Sequence, residues 1–245
     1  MVGLLVWKER KKGERAVSIE ETAVLHMRFL RAEVLREDKT PEPVLRRRVS
    51  AALGKLRRQG ITRVVLPAEF PWGDLPGRQG LQTVSTLPLR RRLAADWAGA
   101  ELKGKGISPG SARVAVAADN LTGEVVRTVT ELVLRYRHVL LDLPRGGEEL
   151  CRQLRREYGA AVQLAPSREQ MDAAEAALLF DKREIADRNI CLRLYEETQP
   201  LPGLLLPPRL EEQLPPGADR GQLIAVLQEA GALKPGQVTL REMAG

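Results

Sequence analysis

"RVAVAADNLTGEVVRTVTEL", residues 113–132, passes from a short apolar run into a helical stripe with a single glycine between them. The run "RVAVAAD" at 113–119 reads as a buried strand, and Val125, Val126, Val129, Leu132 and Val133 then recur at helical spacing. A strand that feeds directly into an amphipathic helix is the repeating unit of α/β architecture. The reading of this turn therefore decides the fold of the chain around it.

Working outward, the same rhythm continues. "HVLLDL" at 138–143 predicts a strand, "GGEELCRQLRREYG" a helix ended by Gly159, and "AAVQLAP" another strand. Ser167 is placed to cap a short helix in "SREQMDAAE", and "AALLFD" at 176–181 predicts a further strand. Upstream, "ITRVVLPAEF" predicts a strand broken at Pro67, and "LPLRRRLAADWAGAEL" a helix over 87–102. Thr40 is positioned to cap a helix from Pro41 that Gly60 stops, with Val44, Leu45, Val49, Leu53 and Leu56 on its stripe. The expected fold is α/β: a Rossmann-like, doubly wound, mostly parallel sheet with helices on both faces, over residues 41–184. Before it, "GLLVWKER" and the long "ETAVLHMRFLRAEVL" read as a β hairpin or paired-strand layer in 1–40, packed on the main domain. After it, 185–245 reads as an extension: "DRNICLRLYEET" as strand or helix, the proline-rich "PLPGLLLPPRLEEQLPPG", then a helix capped by Asp219, stopped near Gly231, and a short strand.

In open parallel sheets, ligands bind beyond the carboxyl ends of the strands, where helix N-termini present free amides. Four such ends fall at residues 67–72, 118–123, 141–147 and 165–169. At the second, "ADNLTG", the sequence resembles a Rossmann NAD(P)-binding unit over residues 113–143, at superfamily level. Aligning Gly123 with the third glycine of G-x-G-x-x-G sets Ala118 and Asn120 in place of the first two. Asp142 ends the next strand 19 residues after Gly123, where the family's ribose-binding acid falls. The resemblance thus implies an NAD or NADP site built from Asp119, Asn120, Thr122, Gly123 and Asp142, with Arg145 suited to a 2′-phosphate. Two departures oppose it: the Asn120 side chain obstructs the pyrophosphate's approach, and Asp119 adds negative charge there. The residues themselves also fit a plain junction, with Asp119 or Asn120 as helix cap, Gly123 permitting close helix–sheet packing and Asp142 simply ending a strand.

Composition narrows the alternatives. The chain has 245 residues, 43% of them hydrophobic, enough for a sizeable core. No apolar run approaches a membrane span, and the start lacks a secretory pattern, so a cytoplasmic protein is expected. Cys151 and Cys191 read as reduced core or half-buried thiols, and with His26 and His138 in strand-like stretches no metal-ligand spacing exists. The formal charge of +7 makes nucleic acid a candidate partner through arginine-rich helices 41–59 and 87–102. A solvated helix face explains the same runs, and the few aromatics do not interleave with them. Glu69 and Asp74, flanking Trp72 in "PAEFPWGDLPG", form a second polar cluster, otherwise readable as a rigid surface loop. Walker A and D-x-D motifs are absent from the sequence, no G-x-S-x-G elbow between a strand and a helix is read, and no catalytic residue is identified. The resulting expectation is a Rossmann-like scaffold or sensor of a nucleotide-like ligand without conventional catalysis. The alternatives are an NAD(P)-dependent oxidoreductase with a degenerate glycine turn and an arginine-rich nucleic-acid-binding protein.

Overall fold

A computed structural model describes residues 1–9, 15–37, 39–185 and 190–241. Contacts gather the chain into two compact units, Met1–Thr86 with Leu206–Val238, and Leu87–Leu205 with Thr239–Gly245. The strands anticipated as one sheet form two five-stranded sheets, one in each unit.

The first unit opens with β1 (Val2–Lys8), β2 (Val17–Val24) and β3 (Met27–Leu35), followed by α1 (Glu42–Arg58), β4 (Arg63–Val65), α2 (Leu75–Arg78) and β5 (Gln82–Thr83). Its sheet runs β2-β3-β1-β4-β5; only the β2–β3 pair is antiparallel. The antiparallel β2–β3 pair is the expected N-terminal hairpin, and through β3 and β1 it continues into the parallel sheet. The stretch expected as one long strand over 21–35 reverses at Leu25 and His26, whose φ angles of 47° and 69° are left-handed. Such a turn ordinarily recruits Asn-Gly, so nothing in "AVLHMR" signals it, and His26 lies at a hairpin tip instead of within a strand. Leu45, Val49, Ala52, Leu53 and Leu56 of α1 pack with Leu5, Ala32, Val34 and Val64 of the sheet in one core cluster. Thr40 does not cap this helix. Pro41 occupies the N-cap position, so Thr40 falls one residue early, and its hydroxyl accepts from the Glu37 amide at 3.2 Å.

The second unit begins with α3 (Leu87–Arg92) and α4 (Ala94–Gly104), the expected 87–102 helix being divided at Leu93. Then come β6 (Arg113–Ala117), α5 (Gly123–Val133), β7 (His138–Asp142), α6 (Gly147–Tyr158), β8 (Val162–Leu164), α7 (Arg168–Asp172), β9 (Ala176–Leu179), β10 (Ile190–Arg193) and β11 (Leu204–Leu205). All five strands of the order β10-β9-β6-β7-β8 are parallel. Counted from β6, this is 3-2-1-4-5 read from the β8 edge, the doubly wound order. Alternation along each strand sends Val114, Val116, Val139, Leu141 and Leu178 to a face covered by α4, α5 and α6. Ala115, Ala117, Leu140, Ala177 and Leu179 go to the other face, against Met171 of α7 and Ala174. Small side chains on that face let a five-residue helix cover it closely. Of the 187–198 segment left open as strand or helix, Ile190–Arg193 is β10 at the sheet edge, and 187–189 lie outside the described residues.

The chain then returns to the first unit with α8 (Pro208–Glu211) and α9 (Arg220–Glu229), and ends in β12 (Thr239–Leu240), antiparallel to β11. Asp219 caps α9 as expected, accepting from the Gln222 amide at 2.8 Å. The α9 side chains of Leu223 to Gln228 are all buried, and the helix is tied to β4 by polar bonds. The Leu66 amide donates to Gln222, and Arg63 makes a two-pronged pair with Glu229 at 2.7 Å on both branches. No helix among the described residues is long and apolar enough to cross a membrane.

Candidate functional site

In a doubly wound sheet the crevice opens where the chain reverses its winding direction, here at the carboxyl ends of β6 and β9, with β7 alongside. Pairing sets Ala117 of β6 opposite Asp142 of β7 and Leu179 of β9, so the residues just after these positions share one rim. The Ala118 amide donates to the Asp142 carbonyl at 3.0 Å and the Phe180 amide to the Ala117 carbonyl at 2.9 Å, which fixes the rim backbone.

Asp119 and Asp142 do converge there, and they converge on a residue from 41 positions further along the chain. The Arg183 guanidinium donates to Asp119 at 2.5 Å through Nη2 and to Asp142 at 3.2 Å through Nε. Bonds from Asp119, and then from Asp142, outweigh partial burial and hold Arg183 above its ordinary value, so it is a permanent cation. Asp181 closes the same corner by accepting from the Asp119 amide at 2.8 Å. A carboxylate that would receive ribose hydroxyls is thus engaged by a side chain of its own unit, at the position the resemblance assigns to the ribose acid.

The next turn is equally occupied. The Asn120 carbonyl oxygen accepts from Arg145 at 3.1 Å, and the two residues form an isolated parallel bridge between the β6–α5 and β7–α6 loops. Arg145 is a strut between loops in this arrangement. The cap of α5 is Thr122, whose hydroxyl accepts from the Val125 amide at 3.3 Å; neither Asp119 nor Asn120 takes that role, since both lie before the extended residue that starts the helix. Gly123 also differs from its expected part. A Cβ there would meet nothing within 4 Å, so the glycine is not needed for helix–sheet packing.

The glycines that are needed belong to the following turn. Gly146 has φ 85°, and a Cβ on it would stand 2.9 Å from two atoms of Leu121. A Cβ on Gly147 would stand 2.6 Å from Leu164. Close backbone approach is therefore demanded at the start of α6, where the Gly-Gly pair was the available signal. Asp142, Gly146, Gly147 and Leu164 also line a cavity of about 520 Å³ whose rim carries Glu148, Glu149 and Arg152. The two carboxylates there disfavour a phosphate at the α6 N-terminus despite its amides.

The other residues singled out by sequence take structural positions. Arg90 is buried, 5.9 Å over the Trp97 ring, and Arg91 donates to the Leu194 carbonyl and to Glu124, so these two arginines of the 90–92 run brace the unit from within. Trp72 is buried, donates to Glu42, and packs edge-on to Phe70 and Trp7. Asp74 pairs with Arg78 at 2.7 Å, while Glu69 stands at a left-handed φ of 54°, so this pair forms no shared site. His138 begins β7, at the end of the sheet away from the crevice. Both cysteines are half-buried free thiols, and burial raises Cys151. Among the described residues, no group of three or more His, Cys, Asp or Glu side chains is arranged to hold a metal ion.

No protein-family model matches the sequence, and no curated protein matches it. Among solved structures the chain is similar to L-tryptophan dehydrogenase from Nostoc punctiforme, with 15% sequence identity and a TM-score of 0.26. The likeness covers 61% of this chain and 44% of that one, so the chain spans less than half of that enzyme's length.

Proposed function

We propose that the second unit is a Rossmann-like scaffold that senses a nucleotide-like ligand and does not catalyse hydride transfer. The carrying observation is the Asp119–Arg183–Asp142 bridge across the switch point. Dinucleotide binding in the usual manner needs a free carboxylate at the end of β7 and an approachable backbone at the β6–α5 turn. Here the carboxylate is neutralised by Arg183, and the turn is braced by Asn120 and Arg145. A ribose-bearing ligand reaches Asp142 only by displacing Arg183. Binding of that kind is weak, reversible and coupled to release of the Arg183 side chain from Asp142, which suits a sensor better than a cofactor-retaining oxidoreductase.

The test is thermal denaturation of the full chain with NAD, NADP, ATP or adenosine at millimolar concentration. Wild type is expected to shift by about 1 °C, the small gain from a ligand present near its dissociation constant. The double variant Asp119→Asn/Arg183→Ala uncovers Asp142 without leaving two facing carboxylates, and is expected to gain about 2–4 °C with ribose-bearing ligands. Strong stabilisation of the wild type by NAD or NADP, with reduction of the cofactor by any amino or hydroxy acid, would establish the oxidoreductase instead. No shift in the wild type with any of the four would remove the sensing role and leave the scaffold, and no added gain in the double variant would show that Arg183 does not gate Asp142.

A further inference from the structure

The first unit carries a second feature, separate from the switch-point crevice. Helices α1 and α2 flank an open trough of about 1030 Å³. Its floor on α1 is Ser50, Ala51 and Gly54, small residues on one stripe, and Gln79 donates to Ser50 at 3.0 Å to hold the opposite wall. Arginines mark its borders: Arg46 and Arg47 towards the start of α1, Arg58 at its end, and Arg78 on α2. Arg46 and Arg47 are exposed and make no ion pair with any described residue. Arg58 bonds only the Gly54 carbonyl, and Arg78 alone has an acidic partner, Asp74. Glu42 is the single carboxylate of the lining, and it is engaged by the Trp72 indole.

We infer that this trough binds the phosphodiester backbone of a nucleic acid, without reading its sequence. From Arg47 to Arg58 the helix rises about 17 Å, at 1.5 Å per residue. A strand of duplex DNA presents a phosphate about every 3.4 Å of its axis, so cations at both ends of the trough meet one strand several phosphates apart. A single phosphate or mononucleotide touches one end alone. Guanidinium groups suit this task because each offers a planar fork of donors to phosphate oxygens. The small floor lets a backbone approach the helix closely, and the lining has no aromatic ring on which a base could stack, which makes the contact one of charge and shape. Of the two arginine-rich helices, only α1 keeps its charges turned outward, since Arg90 and Arg91 are consumed inside the second unit.

The experiment is fluorescence anisotropy of the full chain with a labelled 20-base-pair duplex of arbitrary sequence. With four phosphate contacts, affinity should fall about 150-fold between 50 and 200 mM NaCl. Arg47→Glu/Arg58→Glu should weaken binding at least about tenfold at 50 mM and lower the salt slope by about two. Arg47→Gln/Arg58→Gln, milder for folding, should lower the slope alike. As a control of equal charge change, Arg152→Glu/Arg156→Glu on the exposed face of α6 should leave affinity within about threefold. Absence of binding at 50 mM salt overturns the inference. Equal losses in the trough and control variants overturn it too, because bulk charge would then be the cause. So does complete displacement by low-millimolar inorganic phosphate, which would mark a small-anion site.

Discussion

At the scale of single residues, the first βα turn and the second exchange the roles that a glycine count suggests. Gly123 sits at the first helical position of α5 with open space where its Cβ would be. Gly146 holds a left-handed conformation against Leu121, which an L side chain enters at a cost of about 1–2 kcal/mol before any overlap is counted. Gly146→Ala should therefore destabilise the protein by about 2–4 kcal/mol in urea unfolding, conformational strain and overpacking combined. Gly123→Ala should be neutral or stabilising by up to about 1 kcal/mol, through the unfolded chain's lost freedom. The reverse order would return the close-approach role to Gly123. The sequence carried this information in part: the Gly-Gly pair before an amphipathic helix was visible, but its partner Leu121 lies in another loop, and no local pattern announces a contact between loops.

At the scale of elements, β6 is held to β9 by more than its ladder. Glu175, just before β9, accepts from the Arg113 amide at 2.6 Å and from its guanidinium at 3.1 Å, at the first residue of β6. Partial burial pushes the Glu175 carboxyl up, but the side-chain and backbone bonds of Arg113 outweigh it, and the net shift is downward. A carboxyl lowered by folding contributes stability that is complete above its unfolded value and is lost as pH falls through its folded value. Glu175→Gln should consequently lower the melting temperature near neutrality, and the deficit should shrink as the pH drops below about 4.5, the ordinary value. A deficit independent of pH would show that the loss is of packing or of neutral hydrogen bonds. The elements themselves were largely legible, because buried parallel strands are near-continuous apolar runs and their helices carry a clear stripe. Two were not. The Leu25–His26 reversal uses residues without turn preference, and the division of 87–102 at Leu93 follows from Arg90 and Arg91 being drawn inward to Trp97 and Glu124. Arg183 escaped for a similar reason: its two partners lie 64 and 41 residues away, and only the sheet order brings the three together.

At the scale of the whole molecule, local rhythm predicts strands and helices but is silent on which strands share a sheet. The βα alternation from β4 to β9 has no break in pattern, yet β4 pairs with β1 and β5 with β4 while β6 begins a second sheet. The first unit is completed only after the chain has built the second, because Leu206–Val238 belongs with Met1–Thr86. The bonds that carry this closure are specific: the Asp219 amide to the Leu66 carbonyl at 2.8 Å, the Ala68 amide to the Gly217 carbonyl at 2.9 Å, and the Arg63–Glu229 fork. Losing them would leave the end of β4 unsatisfied, with the apolar residues of α9 missing from the unit's buried surface. A fragment of residues 1–86 should accordingly show a collapsed NMR spectrum and bind a hydrophobic dye. The same fragment joined by a short flexible linker to residues 206–238 should recover dispersed signals and lose dye binding. Dispersed signals from 1–86 alone would mean that the five-stranded sheet and α1 suffice, and that α9 decorates a unit already complete without it.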